Sequence, residues 1–544
     1  MALEDFLRKS ISRRTALKAS AATVLASQMA LFEELAFMPQ RVGLAATGFS
    51  DIQFDVGNFV HPPATFNDGA GNVVAQFGVT FTLLAPAKLT RNPTKADQAT
   101  LANALNTIEA NFPASPAGVL IAGVMYGIPY FNRLPQTIVR STMPRLLSDP
   151  SRLVLEESPA MPTDVVQGFV GGPNAIIPNV KKDRFNVNVV IETNDVLFEL
   201  RSDSLVNLTE ILAWVQGSNF LNGRTVQSPN LIGLFNFDTP RLQFVQPGLP
   251  RKVADAATAN NPNLYEFHTR INPDSSMTMG FVDQQVDASA AAAAVTFAGS
   301  SHGVFTTAKP GDYFDNGSIG HFSHDIEDLY QFYSTPGQDS NRPDGEPFTE
   351  RCQYMFRSNQ LGTTNGIPAT GNTDQFTNGG GPAFINNVFQ GTDSAAREAQ
   401  DSAGTFAPGN QTKDATFTGK GRIGHIDALQ RSGRAADGTP LHIRNDGPGF
   451  DSMDVPAFRT FPGTNGVNVP AGSNQFKLQF LVFVPTAEFF RAMRTNQAAQ
   501  DLQHQFLADQ DDDNGLERFI TATRRQNFLV PPRRHRSFPL LELT

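Results

Sequence analysis

A single cysteine, Cys352, stands among 544 residues, so no internal disulfide can form and no multi-thiolate metal site can be assembled. Disulfide frameworks and zinc ribbons are excluded. Tryptophan occurs once and tyrosine seven times against 44 phenylalanines, so the aromatic mass has few polar handles and few rings suited to passing electrons. Charge is also sparse: charged residues make up 17%, and 43 Lys+Arg against 52 Asp+Glu leave a net charge of −9. That balance, with a sequence pI of about 5.5, argues against a partner held by bulk positive charge, nucleic acid above all. Motifs are missing too. There is no glycine-rich phosphate loop with its Lys-[Ser/Thr] and no Gly-x-Ser-x-Gly elbow, which removes the usual supports for nucleotide hydrolysis and esterase chemistry.

At 40% hydrophobic residues the chain reads as globular, and its length suits two or three domains. Its amino terminus reads as an address. Ser12-Arg13-Arg14-Thr15-Ala16-Leu17-Lys18 precedes an apolar stretch from Ala19 to Phe32 and the small-residue run Gly43-Leu44-Ala45-Ala46. This is the form of a twin-arginine export signal over residues 1–46, cleaved near Ala46, which predicts a periplasmic or extracellular protein. The apolar stretch is interrupted by Ser20, Thr23, Ser27 and Gln28 and falls short of the roughly 20 apolar residues a bilayer requires. No stable membrane anchor is expected. Twin-arginine passengers cross folded and often carry a cofactor.

In the mature chain, Val73–Ala85 reads as a strand and Lys95–Asn111 as an amphipathic helix. Phe185–Ile191 alternates like a strand, and Leu197–Gln216 has helical spacing around Trp214. Ala288–Ala294 is a low-complexity alanine run, and the chain from Gly337 to Gln411 should be mostly loop. Phe476–Pro485 predicts a strand, Ala487–Phe506 a helix and Leu516–Pro532 a further strand or two. The basic residues Arg533, Arg534 and Arg536 read as a solvated tail. This order of elements predicts an α+β fold.

Nine histidines are available, and two neighbourhoods give chemical meaning to some of these polar residues. One is Gly421-Arg-Ile-Gly-His425, followed 19 residues later by Arg444 and Asn445 across a polar turn. The other is the glycine-led turn Gly280-Phe-Val-Asp283-Gln284. A competing cluster is His321-Phe-Ser-His324-Asp325-Ile-Glu-Asp328, where a divalent metal could bind, His321 could line a pocket entrance, or Ser323 could cap a helix start. Tyr330, Tyr333, Tyr354 and Trp214 are the rings that could oxidise a substrate at a distance if they lie near the surface.

Together with the strand candidates and the Phe528–Pro531 ending, the first two neighbourhoods resemble the dye-decolourising peroxidase family of haem enzymes. The resemblance implies two ferredoxin-like domains with antiparallel sheets and peripheral helices, in the manner of a dimeric α+β barrel. On this basis residues 47–275 form the first domain and 276–544 the haem-binding second, with a loop-rich insertion at about 300–410. It implies Asp283 as the distal acid, His425 as the axial ligand of haem b iron, and Arg444 as the distal arginine with Asn445 beside it at the cofactor. Hydrogen peroxide and a phenolic or dye-like organic donor are the implied partners, and the chain could form a homo-oligomer. The sequence departs from the family at Gln284, where the family has glycine, and in the 142-residue interval from Asp283 to His425. Two other readings stay open: a haem carrier or sensor of the same fold, and a cofactor-free secreted assembly protein.

Overall fold

The computed structural model describes residues 49–157, 184–333, 441–497 and 519–544, apart from short gaps within them. The first half begins with β1 (Phe81–Leu89), followed by α1 (Lys95–Asn111) and β2 (Leu120–Gly127). Helix α1 starts where Thr94 and Asp97 form a reciprocal capping box, and it buries Leu101, Ala104, Leu105 and Ile108 along one stripe. Next come β3 (Val196–Ser202), α2 (Leu205–Val215) with Ser204 capping it, and β4 (Arg241–Phe244). These strands pair antiparallel in the order β4-β1-β3-β2. A βαββαβ run with its fourth strand beside its first is the ferredoxin-like arrangement.

The second half repeats it. Strand β5 (Ser318–Glu327) leads into the short α3 (Leu329–Tyr333); β6 (Ile443–Arg444) and β7 (Gly447–Asp451) share the place of the second strand. Then follow β8 (Gln475–Val484), α4 (Ala487–Gln497) and β9 (Ile520–Val530). Their order is β9-β5-β8, with β6 and β7 both pairing with β8. The halves join antiparallel between β2 and β9, Tyr126 opposite Leu529 and Gly127 opposite Phe528, in one eleven-stranded sheet.

The ends of this sheet meet. A Cβ on Gly447 would lie 2.7 Å from Val245 Cγ2, and one on Gly449 would lie 3.1 Å from the Leu242 carbonyl, so only glycine lets β7 come this close to β4. The sheet thus curls into a barrel with two sides. Its outer side packs on the helices through an apolar cluster that includes Leu83, Leu105, Phe198, Ile211, Val482 and Leu529. Its inner side holds a smaller apolar layer of Leu84, Met125, Leu197, Phe322, Leu481, Phe483 and Phe528. The α+β, ferredoxin-like fold class expected from the sequence is therefore observed.

Several local expectations are corrected. The stretch 73–85 holds two strands, Asn72–Ala75 and β1, because the Thr80 amide donates to Asp203 Oδ1 at 3.0 Å instead of continuing one ladder. The stretch 197–216 is not one helix but β3 and α2, broken at Ser202-Asp203-Ser204. Only Val190–Ile191 of the 185–191 stretch is strand, since Phe185 adopts a left-handed φ of 39°. In the 288–294 run, Ala292–Val295 forms a 3₁₀ turn. Residues 321–327 belong to β5, every residue of which is buried, and not to a helix start. Strand β5 also lies inside the span expected as an insertion from about 300, yet it is a central strand of the second half. The supposed solvated tail is paired: Arg533 and Arg536 reach Glu109 at 2.6 and 2.7 Å, and Arg534 reaches Asp315 at 2.6 Å. Among the described residues no helix is long and apolar enough to cross a membrane.

Candidate functional site

Strand alternation decides which side of the barrel wall each residue serves. Arg444 pairs with Val482, Val482 with His321 and His321 with Asn527, so these four form one row across β6, β8, β5 and β9 on the outer face. The adjacent row on that face is Phe480, Ser323 and Arg525. Arg444 is half-buried, whereas His321 and Arg525 are wholly buried. His321 donates from Nδ1 to Asn527 Oδ1 at 2.6 Å and stacks on Phe490 of α4, over which the Arg525 guanidinium also lies at 5.5 Å. On this face Val482, Phe490 and Arg525 are buried against one another, and Phe480 and Arg444 stay partly accessible.

Asn445 follows Arg444 and turns the other way, into the barrel. Its Nδ2 donates to Glu199 Oε1 of β3, its carbonyl accepts from Gln243 Nε2 of β4 at 2.7 Å, and its amide donates to the Leu481 carbonyl at 2.7 Å. Glu199 is fully buried, and its Oε2 has no hydrogen-bond partner among the described residues. Burial pushes its pKa up to about 7, opposed by the Arg201 charge and the Asn445 hydrogen bond. Glu327 on β5 is likewise raised to about 7 by burial, although Thr278 donates to it.

Further along the interior, His324 contacts Thr523 Oγ1 through Nδ1 at 2.6 Å and Asp451 through Nε2 at 3.1 Å. Burial lowers the His324 pKa to about 4, with the Asp451 charge opposing that shift. Lys477 stands 3.6 Å from Asp451 and donates to the Met453 carbonyl at 2.7 Å. Arg241 pairs with Glu192, which also faces Arg524 at 3.5 Å, and Arg524 is bound to Asp454. The barrel wall therefore encloses charged residues in pairs and chains, the condition under which buried charge is tolerated.

Of the residues singled out in the sequence, Arg444 and Asn445 are placed side by side on opposite faces of one strand. Asp283, Gln284 and His425 lie outside the described residues, as do Tyr354, Cys352 and the export segment. Trp214, Tyr330 and Tyr333 are buried and not near the surface; Trp214 donates to the Val226 carbonyl and Tyr333 to the Thr278 carbonyl. His321 and His324 face opposite sides of β5, and among the described residues no group of three or more His, Cys, Asp or Glu is arranged to hold a metal ion. Glu199, Gln243, and Asp451 and Lys477 as the partners of His324, escaped the sequence reading. One signal was present: Leu197, Glu199 and Arg201 alternate with Val196, Phe198 and Leu200, a strand pattern hidden by reading the segment as helix.

A family of unknown function, DUF7405, matches residues 392–532. No curated protein matches the chain. Among solved structures, the chain is similar to a Shewanella oneidensis protein described as of dyp type among peroxidases, at 12% identity and a TM-score of 0.43, covering 86% of this chain and 95% of that one. It is also similar to a dye-decolorizing protein of V. cholerae, at 12% identity and a TM-score of 0.39, covering 84% and 96%. A third is a variant of Rhodococcus jostii RHA1 DypB in complex with haem, at 12% identity and a TM-score of 0.38, covering 84% and 95%. The fold assignment rests on the strand order of this chain and not on these likenesses.

Proposed function

We propose that this chain is a haem-dependent peroxidase that reduces hydrogen peroxide and oxidises phenolic or dye-like organic donors, exported through the twin-arginine segment at residues 12–18. The observation that carries the reading is Arg444: a half-buried guanidinium in one row with His321, beside the apolar Val482, Phe480 and Phe490, on the second of two ferredoxin-like halves. Fold alone does not carry an activity, so the weight falls on these residues and on the sequence pattern around Asp283 and His425.

His425 would hold haem b through its imidazole, and Asn445 would help fix the segment that carries Arg444. Bound haem supplies the redox-active iron. Asp283 accepts a proton from the near oxygen of peroxide and returns it to the leaving oxygen, a transfer suited to a positioned carboxylate. Negative charge would develop on that leaving oxygen, and the Arg444 guanidinium would stabilise it. Gln284, in place of glycine, puts an amide side chain next to the acid and would change access or turn geometry. That departure favours, as a second reading, a haem carrier or sensor without competent turnover.

The test is the visible spectrum of protein expressed with added haem precursor. A Soret band in wild type that is lost or shifted in His425→Ala supports the axial assignment; two identical spectra reject it, and absence of the band in wild type rejects haem binding. Peroxide-dependent oxidation of a dye then separates the two readings. Loss in Asp283→Ala and Arg444→Leu supports the peroxidase, and a haem-loaded wild type without turnover supports the carrier.

A further inference from the structure

The place of Arg444 is set by more than its own strand. Strand β6 is two residues long, and its ladder to β8 consists of Ile443 with Phe483 and Arg444 with Val482. The His442 carbonyl accepts from the Ala290 amide on one side and the β7 ladder to β8 begins at Gly447 on the other, and between them Asn445 adds restraints from its own side chain and carbonyl. Two of the three groups that hold Asn445, the Glu199 carboxylate and the Gln243 amide, belong to the first half of the molecule.

We infer that Glu199 is a positioning residue for Arg444: through Asn445, the first half sets where the second half's guanidinium stands. Two further observations support this. Glu199 buries a carboxyl with one oxygen unpartnered, an arrangement that costs stability where an apolar side chain on this inner face would not. Such local costs are retained where they serve a site. Secondly, Gly123 borders the same carboxyl: a Cβ there would be a tight 3.3 Å from Glu199 Oε2, its outright clash being with the end of Met125 at 2.3 Å. The catalytic consequence rests on the peroxidase reading; the positioning itself does not.

The experiment compares Glu199→Gln, which keeps an acceptor for Asn445, with Glu199→Leu, which removes it, and with Asn445→Ser, which breaks the same bond from the other side should the leucine variant fail to fold. Hydrogen–deuterium exchange over residues 441–450 is read in the haem-free chain, with β5 as internal reference. The expected result is an increase of about tenfold in Glu199→Leu and Asn445→Ser, the order of one lost hydrogen bond to a charged group, with Glu199→Gln near wild type. In the haem-loaded protein kcat should fall in the first two, with the KM for the dye unchanged, and recover in Glu199→Gln. Unchanged exchange at 441–450, or a glutamine variant as loose as the leucine one, overturns the inference. A wild type without a Soret band overturns the peroxidase reading instead, while exchange in the haem-free chain still decides whether Glu199 holds the segment.

Discussion

The two halves share one strand order but connect their first and second strands differently. In the first, β1 passes to β2 through the capped 17-residue helix α1. In the second, β5 passes into the five-residue α3, and the strand that takes the second place is divided, beginning only at Ile443. The first connection is a packed helix, and the second is the longer in sequence, holding the candidate His425 and leading to Arg444. The duplicated frame supplies rigidity, and the proposed chemistry falls where one copy departs from it.

The largest effect should come from damaging what the halves hold in common. Phe322→Ala opens the inner apolar layer beneath both and should cost about 3–5 kcal/mol in urea unfolding. Arg444→Leu should separate the halves functionally: dye turnover by the haem-loaded protein is expected to drop by roughly 10²–10³, the scale of losing one electrostatic stabiliser, with the unfolding midpoint little changed. A fall in stability matching the fall in activity would make Arg444 a structural ion pair.

The contact between halves has a pH signature. Glu199 has a pKa raised to about 7 in the folded chain from an ordinary 4.5, so its contribution to stability is full below about 4.5 and is lost as pH rises to about 7. Glu327 acts in the same direction. Glu199→Gln should remove its share of that decline, on the order of 3 kcal/mol between pH 4.5 and pH 7.5, when denaturant midpoints are compared at the two pH values. At the seam, Gly127 faces Phe528, and a Cβ there would lie 2.3 Å from the Asn194 carbonyl. Gly127→Ala should therefore cost roughly 1–3 kcal/mol by calorimetry. The smallest effect belongs to Arg534→Ala: its partners Asp51 and Asp315 are bound near the surface, and less than about 1 kcal/mol should be lost.

Much of the frame was legible along the chain. Helix α1 is delimited by Thr94 and by its apolar spacing, and β8 by the alternation of Gln475–Phe480 running into apolar Leu481–Val484, because local capping and periodicity carry that information. Segments misread were those where a tertiary partner intervenes. The Thr80 amide leaves the expected ladder for Asp203, and the central position of β5 buries a polar sequence, Ser-His-Asp included, that in isolation reads as a helix start. Arg533 and Arg536 looked solvated because Glu109, their partner, lies more than 400 residues away in sequence.

By itself the sequence determined composition, the excluded chemistries, the α+β class and the candidate residues Asp283, His425 and Arg444, since each depends on residue type and short-range spacing. Only the tertiary structure decided that the halves close into one barrel, that Asn445 turns inward while Arg444 turns outward, and that Glu199 from the other half meets Asn445. Those relations depend on register between strands distant in sequence. A shift of one residue would exchange the inner and outer faces, and no local pattern specifies which distant strand supplies the partner.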